Sequence, residues 1–325
     1  MNCGSDGLRR LLVAAALVAT PHIAVAQDSY PKQPIKLVVP YVAGGLADVL
    51  SRLVGEKLTL KWGQPVIVES RAGASGNLGA EVVARSVPDG YTLLSTPPPP
   101  LAINQSLFAK LAFDPAAFVP VTVIASAPNV LVARPNLPLS SLQELITFAK
   151  ANPDKLSYAS TGNGGTPHLS AELLKAKIHA QIVHVPYRGL PPAFVDLFAG
   201  QVDLMFANLS DSLPHIRSGK LKVLGVGSRA RLPELPDMPA ISEVLPGFFS
   251  DTWYALVAPP KTPTEVADKI SIAVAEALKA PDVAKRLQGL SVTPVGSSPA
   301  ETAEFIKQEA RRWREVIVSA GIKAE

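Results

Sequence analysis

Apolar residues recur in short blocks separated by amphipathic stretches along most of this 325-residue chain. Positions 35–39 (IKLVV) are rich in β-branched residues and end at Pro40, so they predict a buried strand. A helix is expected to follow through about position 60, with Asp48 at its cap or in its first turn. Positions 66–69 predict a second strand, 80–86 a helix and 91–95 a third strand after the Pro88-Asp89-Gly90 turn. A second series starts near 129–134. It continues with a helix from Ser140 or Ser141 to about Ala151, stopped by Asn152-Pro153, then a strand at 156–160 and a helix at 168–175. Strands at 182–185, 202–206 and 223–227 and a helix at 193–198 complete it. A last unit opens with a strand at 253–258 and adds helices at 264–279 and 300–320. Strand–loop–helix repetition of this kind implies an α/β fold with mainly parallel, helix-covered sheets, in two lobes, the chain returning to the first lobe at its end.

Three glycine-bearing loops punctuate this rhythm: YVAGG at 41–45, AGASGNLG at 72–79 and STGNGGT at 160–166. Glycine lets successive backbone N–H groups converge on one point, which suits holding an anion without reacting with it. A structural turn alone would explain any one loop. Their recurrence at comparable positions favours binding and leaves open whether the chain is an enzyme or a receptor.

The front of the chain bears on compartment. Arg9 and Arg10, the apolar run 11–19 and Ala24-Val25-Ala26 have the order of a secretory signal peptide spanning 1–26. The single cysteine, Cys3, lies inside that segment, so the exported chain is expected to use neither disulfides nor thiol chemistry. A periplasmic product is expected, with no later segment suited to spanning a membrane. Basic residues are scattered, and Glu309 and Glu315 flank the densest group (Arg311, Arg312, Arg314), which argues against nucleic-acid binding.

Catalytic signatures do not assemble. His168, His179, His184 and His215 lack the H-E-x-x-H spacing of a zinc site. No G-x-S-x-G elbow occurs, although the turn around Ser75 has a superficial likeness to one. Gly44-Gly45 lacks a dinucleotide fingerprint, and Gly73-x-x-Gly76-x-x-Gly79 lacks the Lys-Ser/Thr of a P-loop. No metal, cofactor or catalytic residue is expected. The competing reading is a secreted α/β hydrolase-like enzyme acting on a small carboxylate or ester.

Longer motifs make the pattern specific. VPYVAGGLAD at 39–48 and VIVESRAGASGNLGA at 66–80 resemble the paired N-terminal signatures of Bug-type extracytoplasmic receptors, the solute-binding proteins of the tripartite tricarboxylate transporter family. The resemblance continues through PDGYTLL at 88–94, LSYAS at 156–160, HVPYRG at 184–189, GQVDLMF at 200–206, PHIRSGK at 214–220 and AGIK at 320–323. It implies a type II periplasmic-binding fold with a ligand cleft between the lobes, residues 28–126 plus 250–325 forming the first lobe and 127–249 the second. It also implies a receptor, without enzymatic turnover, for a small di- or tricarboxylate or an aromatic acid; a monomer is the default expectation. Transporter membrane subunits or a sensor would be its partners. An uncharged aromatic amide such as nicotinamide is the alternative ligand within the class.

Carried onto this chain, the resemblance assigns a first-lobe carboxylate cradle to Tyr41, Val42, Ala43, Gly44 and Gly45 together with Gly73, Ala74, Ser75, Gly76 and Asn77. Asp48 is read first as a helix-start residue and second as a contact. Ser160, Thr161, Gly164, Gly165, Thr166 and His168 are the second-lobe candidates, with Asn208 and Asp211 completing that wall. Two departures bear on specificity. Ser70 and Ala72 replace the usual asparagine and proline of the second loop. Pro97 to Pro100, with Pro98 as a candidate contact, replace a more polar segment and remove four amide donors. If that run faces the cleft, an aromatic or hydrocarbon ligand body is favoured.

Overall fold

The computed structural model describes residues 30–323; the expected export leader lies outside them. Strand β1 (Ile35–Val39) pairs in parallel with β2 (Val66–Ser70) and β3 (Thr92–Thr96). The crossovers are α1 (Leu46–Trp62) and α2 (Asn77–Ala84). Helix α1 stops at Gly63, whose φ of 65° lets its N–H reach back to the Thr59 carbonyl. Beyond β3, the proline run turns into the short helix α3 (Asn104–Leu107).

Strand β4 (Val119–Ala133) is longer than its sequence pattern predicts, because only 129–134 reads as strand from periodicity. Its first part pairs antiparallel with β9 (Asp251–Ala258), and the register shifts between Pro120 and Thr122, where proline has no ladder N–H to give. Its last part, Asn129 to Ala133, pairs with β7 (Leu204–Asn208) on one edge and β8 (Lys222–Val226) on the other. One strand therefore belongs to both halves of the molecule.

The second half is filled by α4 (Leu142–Ala151), β5 (Ser157–Ser160), α5 (Thr166–Ile178), β6 (Val183–Pro186) and α6 (Leu190–Ala199). Helices α7 (Leu209–Arg217) and α8 (Ile241–Val244) follow β7 and β8. The chain then returns through β9 to α9 (Thr264–Leu278), α10 (Pro281–Gly289), β10 (Thr293–Pro294) and α11 (Pro299–Ala320). The strand order is β2-β1-β3-β9-β4-β7-β5-β6, with β8 and β10 also on β4. The parallel pairing expected from the strand–helix rhythm is realised among β1–β3 and β5–β7; β4 and β9 add antiparallel ladders, so the sheet is mixed.

Alternation along the strands covers both faces. On β4, Leu131 and Ala133 join a core with Tyr158, Leu174, Phe206 and Phe248, while Val130 and Val132 point to the other face with Phe194, Leu197 and Met205. The opposite half is built on Trp253, Trp313, Leu94, Ile103 and Ile317. Helix α11 starts with a reciprocal cap: the Glu301 N–H donates to Ser298 Oγ at 3.3 Å and the Ser298 N–H to Glu301 Oε2 at 2.9 Å, with Pro299 next.

Where β4 and β9 cross, Ser126 Oγ donates to Asp251 Oδ2 at 2.9 Å, while Asp251 Oδ1 is buried with no partner among the described residues. Burial pushes the Asp251 carboxyl up to about 6, against the opposing pull of Ser126 and Arg312. Between the ordinary carboxylate value and that point the fold binds a proton that the unfolded chain does not. This contribution to stability is therefore gained as pH falls through about 6 and lost as pH rises through it. Asp251→Asn is expected to raise stability by about 1–3 kcal/mol at about pH 8 and to flatten the pH profile on the acid side. Urea melts of both proteins across that range check this; an Asn variant less stable at the alkaline end contradicts it.

Candidate functional site

The loop after β1 spends its carboxylate locally. Asp48 is buried, accepts the Gly44 N–H at 3.0 Å and takes two bonds from Arg52, both at 2.9 Å. The Arg52 guanidinium therefore holds its carboxyl below the usual range. Asp48 stands in the first turn of α1 and organises the loop from behind. Val42 is exposed, as are Ala43, Gly44 and Gly45. Tyr41 alone from this loop lines a cavity.

The second loop is tightly wound. Ala74 and Ser75 hold φ values of 48° and 53°, in the left-handed region, between Gly73 and Gly76. Side chains seldom tolerate this, and the neighbours show what maintains it. The Ser75 carbonyl accepts Tyr41 Oη at 3.3 Å and Asn104 Nδ2 at 3.0 Å. Asn104 Nδ2 also donates to Asn77 Oδ1 at 2.7 Å, which engages that side chain in holding α3 to α2. Gly76 is required both by its φ of +87° and by space: a Cβ there would lie 2.7 Å from Pro100 Cγ and 3.1 Å from Tyr41 Oη. The proline run thus packs directly on the glycine loop. Pro98 is buried and its carbonyl accepts the N–H groups of Leu101 and Ala102, so Pro97 and Pro99, not Pro98, present themselves to the cavity.

The third loop is supported from beneath by stacked rings. His168 stacks on His184 with centroids 4.3 Å apart, and His184 on Tyr158 at 4.7 Å. His168 Nδ1 accepts the Gly164 N–H at 3.1 Å, and Ser160 Oγ lies 2.6 Å from His184 Nε2. Burial, reinforced by His184, pushes the His168 imidazole down to about 3, so it stays a neutral acceptor for the loop. Ser160 and His168 are both buried outside the cavity wall.

A cavity of about 410 Å³ gathers these parts. Tyr41, Ser75, Pro97 and Pro99 form one side; Thr161 to Pro167 form the other. Asn208 and Asp211, from the end of β7 and the first turn of α7, face it together with Thr252 and Tyr254 of β9, and Leu190, Met205 and Ala207 add apolar surface. Of the residues expected from sequence, it brings together Tyr41, Ser75, Thr161, Gly164, Gly165, Thr166, Asn208 and Asp211. Val42, Ala43, Gly44, Gly45, Asp48, Gly73, Ala74, Gly76, Asn77, Pro98, Ser160 and His168 stand outside its lining.

The sequence matches the tripartite tricarboxylate transporter family receptor over residues 50–322. The chain belongs to this receptor family. Protein BugT of Bordetella pertussis is 37% identical over 320 residues, covering 97% of this chain and 98% of BugT. Among solved structures, R. palustris Rpa4515 with adipate has a TM-score of 0.81 at 36% identity, covering 90% of this chain and 99% of that one. MatC from Rhodopseudomonas palustris with bound malate has a TM-score of 0.77 at 33% identity, covering 89% and 100%. The receptor has their two-lobed α/β solute-binding fold.

Sequence reading missed Thr252 and Tyr254 of this receptor. Tyr254 sits in an apolar strand without a local signal; only its pairing register with Ala125 brings it to the cavity. Burial pushes the hydroxyls of Tyr41 and Tyr254 upward, keeping both protonated as donors. Asp211 keeps a solvent-exposed edge in the open cavity, yet loss of water around it pushes its carboxyl up, against the opposing hydrogen bond from Asn208. A larger open hollow of about 910 Å³ runs along α11 past Leu101, Phe118, Ile306, Lys307, Arg311 and Arg314. It contains none of the three glycine loops. Among the described residues no helix is long and apolar enough to cross a membrane.

Proposed function

We propose that this receptor is exported to the periplasm and captures a small organic acid in the cavity of about 410 Å³, holding it reversibly and without turnover. The observation that carries the reading is the third glycine loop leading into a helix start at the wall of a cavity with no Lys, Arg or His in its lining. Residues 161–167 line the cavity and helix α5 begins at Thr166. The loop and helix N–H groups and the partial positive charge of that helix start suit a carboxylate, and their attraction strengthens as closure removes water. Tyr41 and Ser75 supply hydroxyls from the facing loops, and Pro97 and Pro99 an apolar surface for the ligand body.

In this reading residues 28–126 with 250–325 move as one lobe and 127–249 as the other, closing about the β4 and β9 crossing. Presentation of the closed form to transporter membrane subunits or a sensor follows by population shift. Ser160 supports binding over hydrolysis: it is buried beneath its loop, where its Oγ meets His184 but no substrate carbonyl has access.

Calorimetry of the purified protein against di- and tricarboxylates, aromatic acids and aromatic amides tests this, with NMR of the same mixtures to detect products. Saturable binding of an acid with an unchanged ligand spectrum is expected. Product accumulation would falsify the receptor reading in favour of the enzyme, and binding confined to amides would shift the ligand class.

A further inference from the structure

We propose that the cavity selects acids carrying a hydrogen-bond donor at the end remote from the carboxylate, such as an ammonium, hydroxyl or amide N–H, and that Asp211 with Asn208 forms the acceptor wall that reads it. The proposal rests on the carboxylate-receptor reading and deepens it. Three observations converge on this wall.

The cavity is lopsided in charge. Its lining contains one carboxylate, Asp211, and no cationic side chain. A ligand with a carboxylate at each end would place one of them against Asp211 without a counter-charge between them, and like charges in a partly dehydrated space repel strongly. A ligand that turns a donor toward Asp211 avoids this.

Asn208 points the same way. Asn208 lines the cavity with Asp211 and Tyr254, and its side chain opposes the upward push that burial exerts on both groups. Its Oδ1 is buried and has no partner among the described residues, although Asn208 lines the cavity. A buried carbonyl left without a donor is unfavourable, and rotation of the side chain toward the cavity that Asn208 lines would let a ligand supply one. A ligand entering beside Asp211 would then meet a carboxylate and an amide oxygen, both accepting.

The surroundings fix the geometry of that wall. Asn208 ends β7 in register with Asn129 of β4, and Asp211 follows within the first turn of α7. Both are held by the sheet junction, unlike the glycine loops across the cavity. Met205, Ala207 and Leu190 add apolar surface on this side, where Thr252 and Tyr254 are the other polar lining residues.

Chain-matched ligands test the idea by calorimetry on the purified protein. One series is hexanoate, hydroxyhexanoate, aminohexanoate, adipamate and adipate; an aromatic series is benzoate, hydroxybenzoate, terephthalamate and terephthalate. The best donor-bearing acid is expected to bind at least about tenfold more tightly than the dicarboxylate of the same series. Asp211→Asn is expected to shrink that ratio to about threefold or less, with an unchanged melting temperature showing that the fold persists. Should dicarboxylates bind as tightly as the donor-bearing acids, or the ratio survive Asp211→Asn, the acceptor wall is wrong while the receptor reading stands. If no acid of either series binds, the carboxylate reading falls and takes this proposal with it.

Discussion

Glu309→Ala is expected to cost about 3–5 kcal/mol of folding stability, because it removes one member of a buried ion pair and leaves the other in place. Glu309 is 5% exposed on α11. Its Oε2 accepts the indole N–H of Trp253 at 2.9 Å and of Trp313 at 3.1 Å, and Arg312 donates to both carboxylate oxygens at 2.7 and 2.8 Å. Arg312 in turn donates to the Phe249 carbonyl at 2.6 Å and lies over the Trp313 ring at 3.9 Å. One carboxylate thus ties α11 to β9 and to the segment entering β9. Removing it leaves two buried indole donors without an acceptor and takes the counter-charge from the half-buried Arg312 guanidinium, and each unsatisfied buried donor is costly. Urea denaturation with tryptophan fluorescence checks this, since two of its reporters sit at the lesion. A loss below about 1 kcal/mol would mean that water replaces the carboxylate without penalty. Glu309→Gln, which keeps an acceptor but no charge, is expected to fall between wild type and Ala.

Gly227→Ala is expected to be at least as damaging, and to disturb ligand binding as well as stability. A Cβ at this position would lie 2.5 Å from the Ser250 carbonyl oxygen and 3.0 Å from that of Asn129. Both neighbours are backbone, so no side chain can swing away. The same atoms are joined by short bonds: the Gly227 N–H donates to Asn129 O at 2.7 Å, and the Ser250 N–H to Gly227 O at 2.8 Å. Asn129 Nδ2 meets Ser250 Oγ at 3.0 Å, and Asn129 pairs in register with Asn208 at the cavity wall. Admitting the methyl group requires separating strands that position Asn208, Thr252 and Tyr254. Loss of several kcal/mol, roughly the upper end of single-site effects, should accompany at least about tenfold weaker ligand binding in whatever folded protein remains. Wild-type melting and wild-type calorimetry together would refute the assignment.

Much of this arrangement was legible beforehand because its causes are local. The strand predicted at 35–39 matches β1, since a β-branched run closed by Pro40 has few alternatives. Ser141 caps α4 by accepting the Glu144 N–H at 3.1 Å, close to where the Ser140/Ser141 signal put the helix start. The glycine loops are legible as special turns, and in the first of them the carboxylate held by the loop amide is the chain's own Asp48. The first part of β4 and the short α10 and β10 were not legible. Prolines at 120 and 128 break the strand pattern there, and pairing with β9 overrides local preference.

The sequence by itself determined the receptor family, the alternating α/β elements and the loops that face the cavity, because turn chemistry and period are properties of neighbouring residues. Tertiary structure alone decided which of those residues line the cavity. The Asn77 side chain bonds to Asn104 of α3 and stands outside the lining, while Tyr254 reaches the cavity from a strand far along the chain. Whether a polar side chain faces a ligand or a neighbouring loop depends on which partner the fold brings within hydrogen-bond reach. For Tyr254 the antiparallel register of β9 on β4 sets that distance, and no local pattern encodes it.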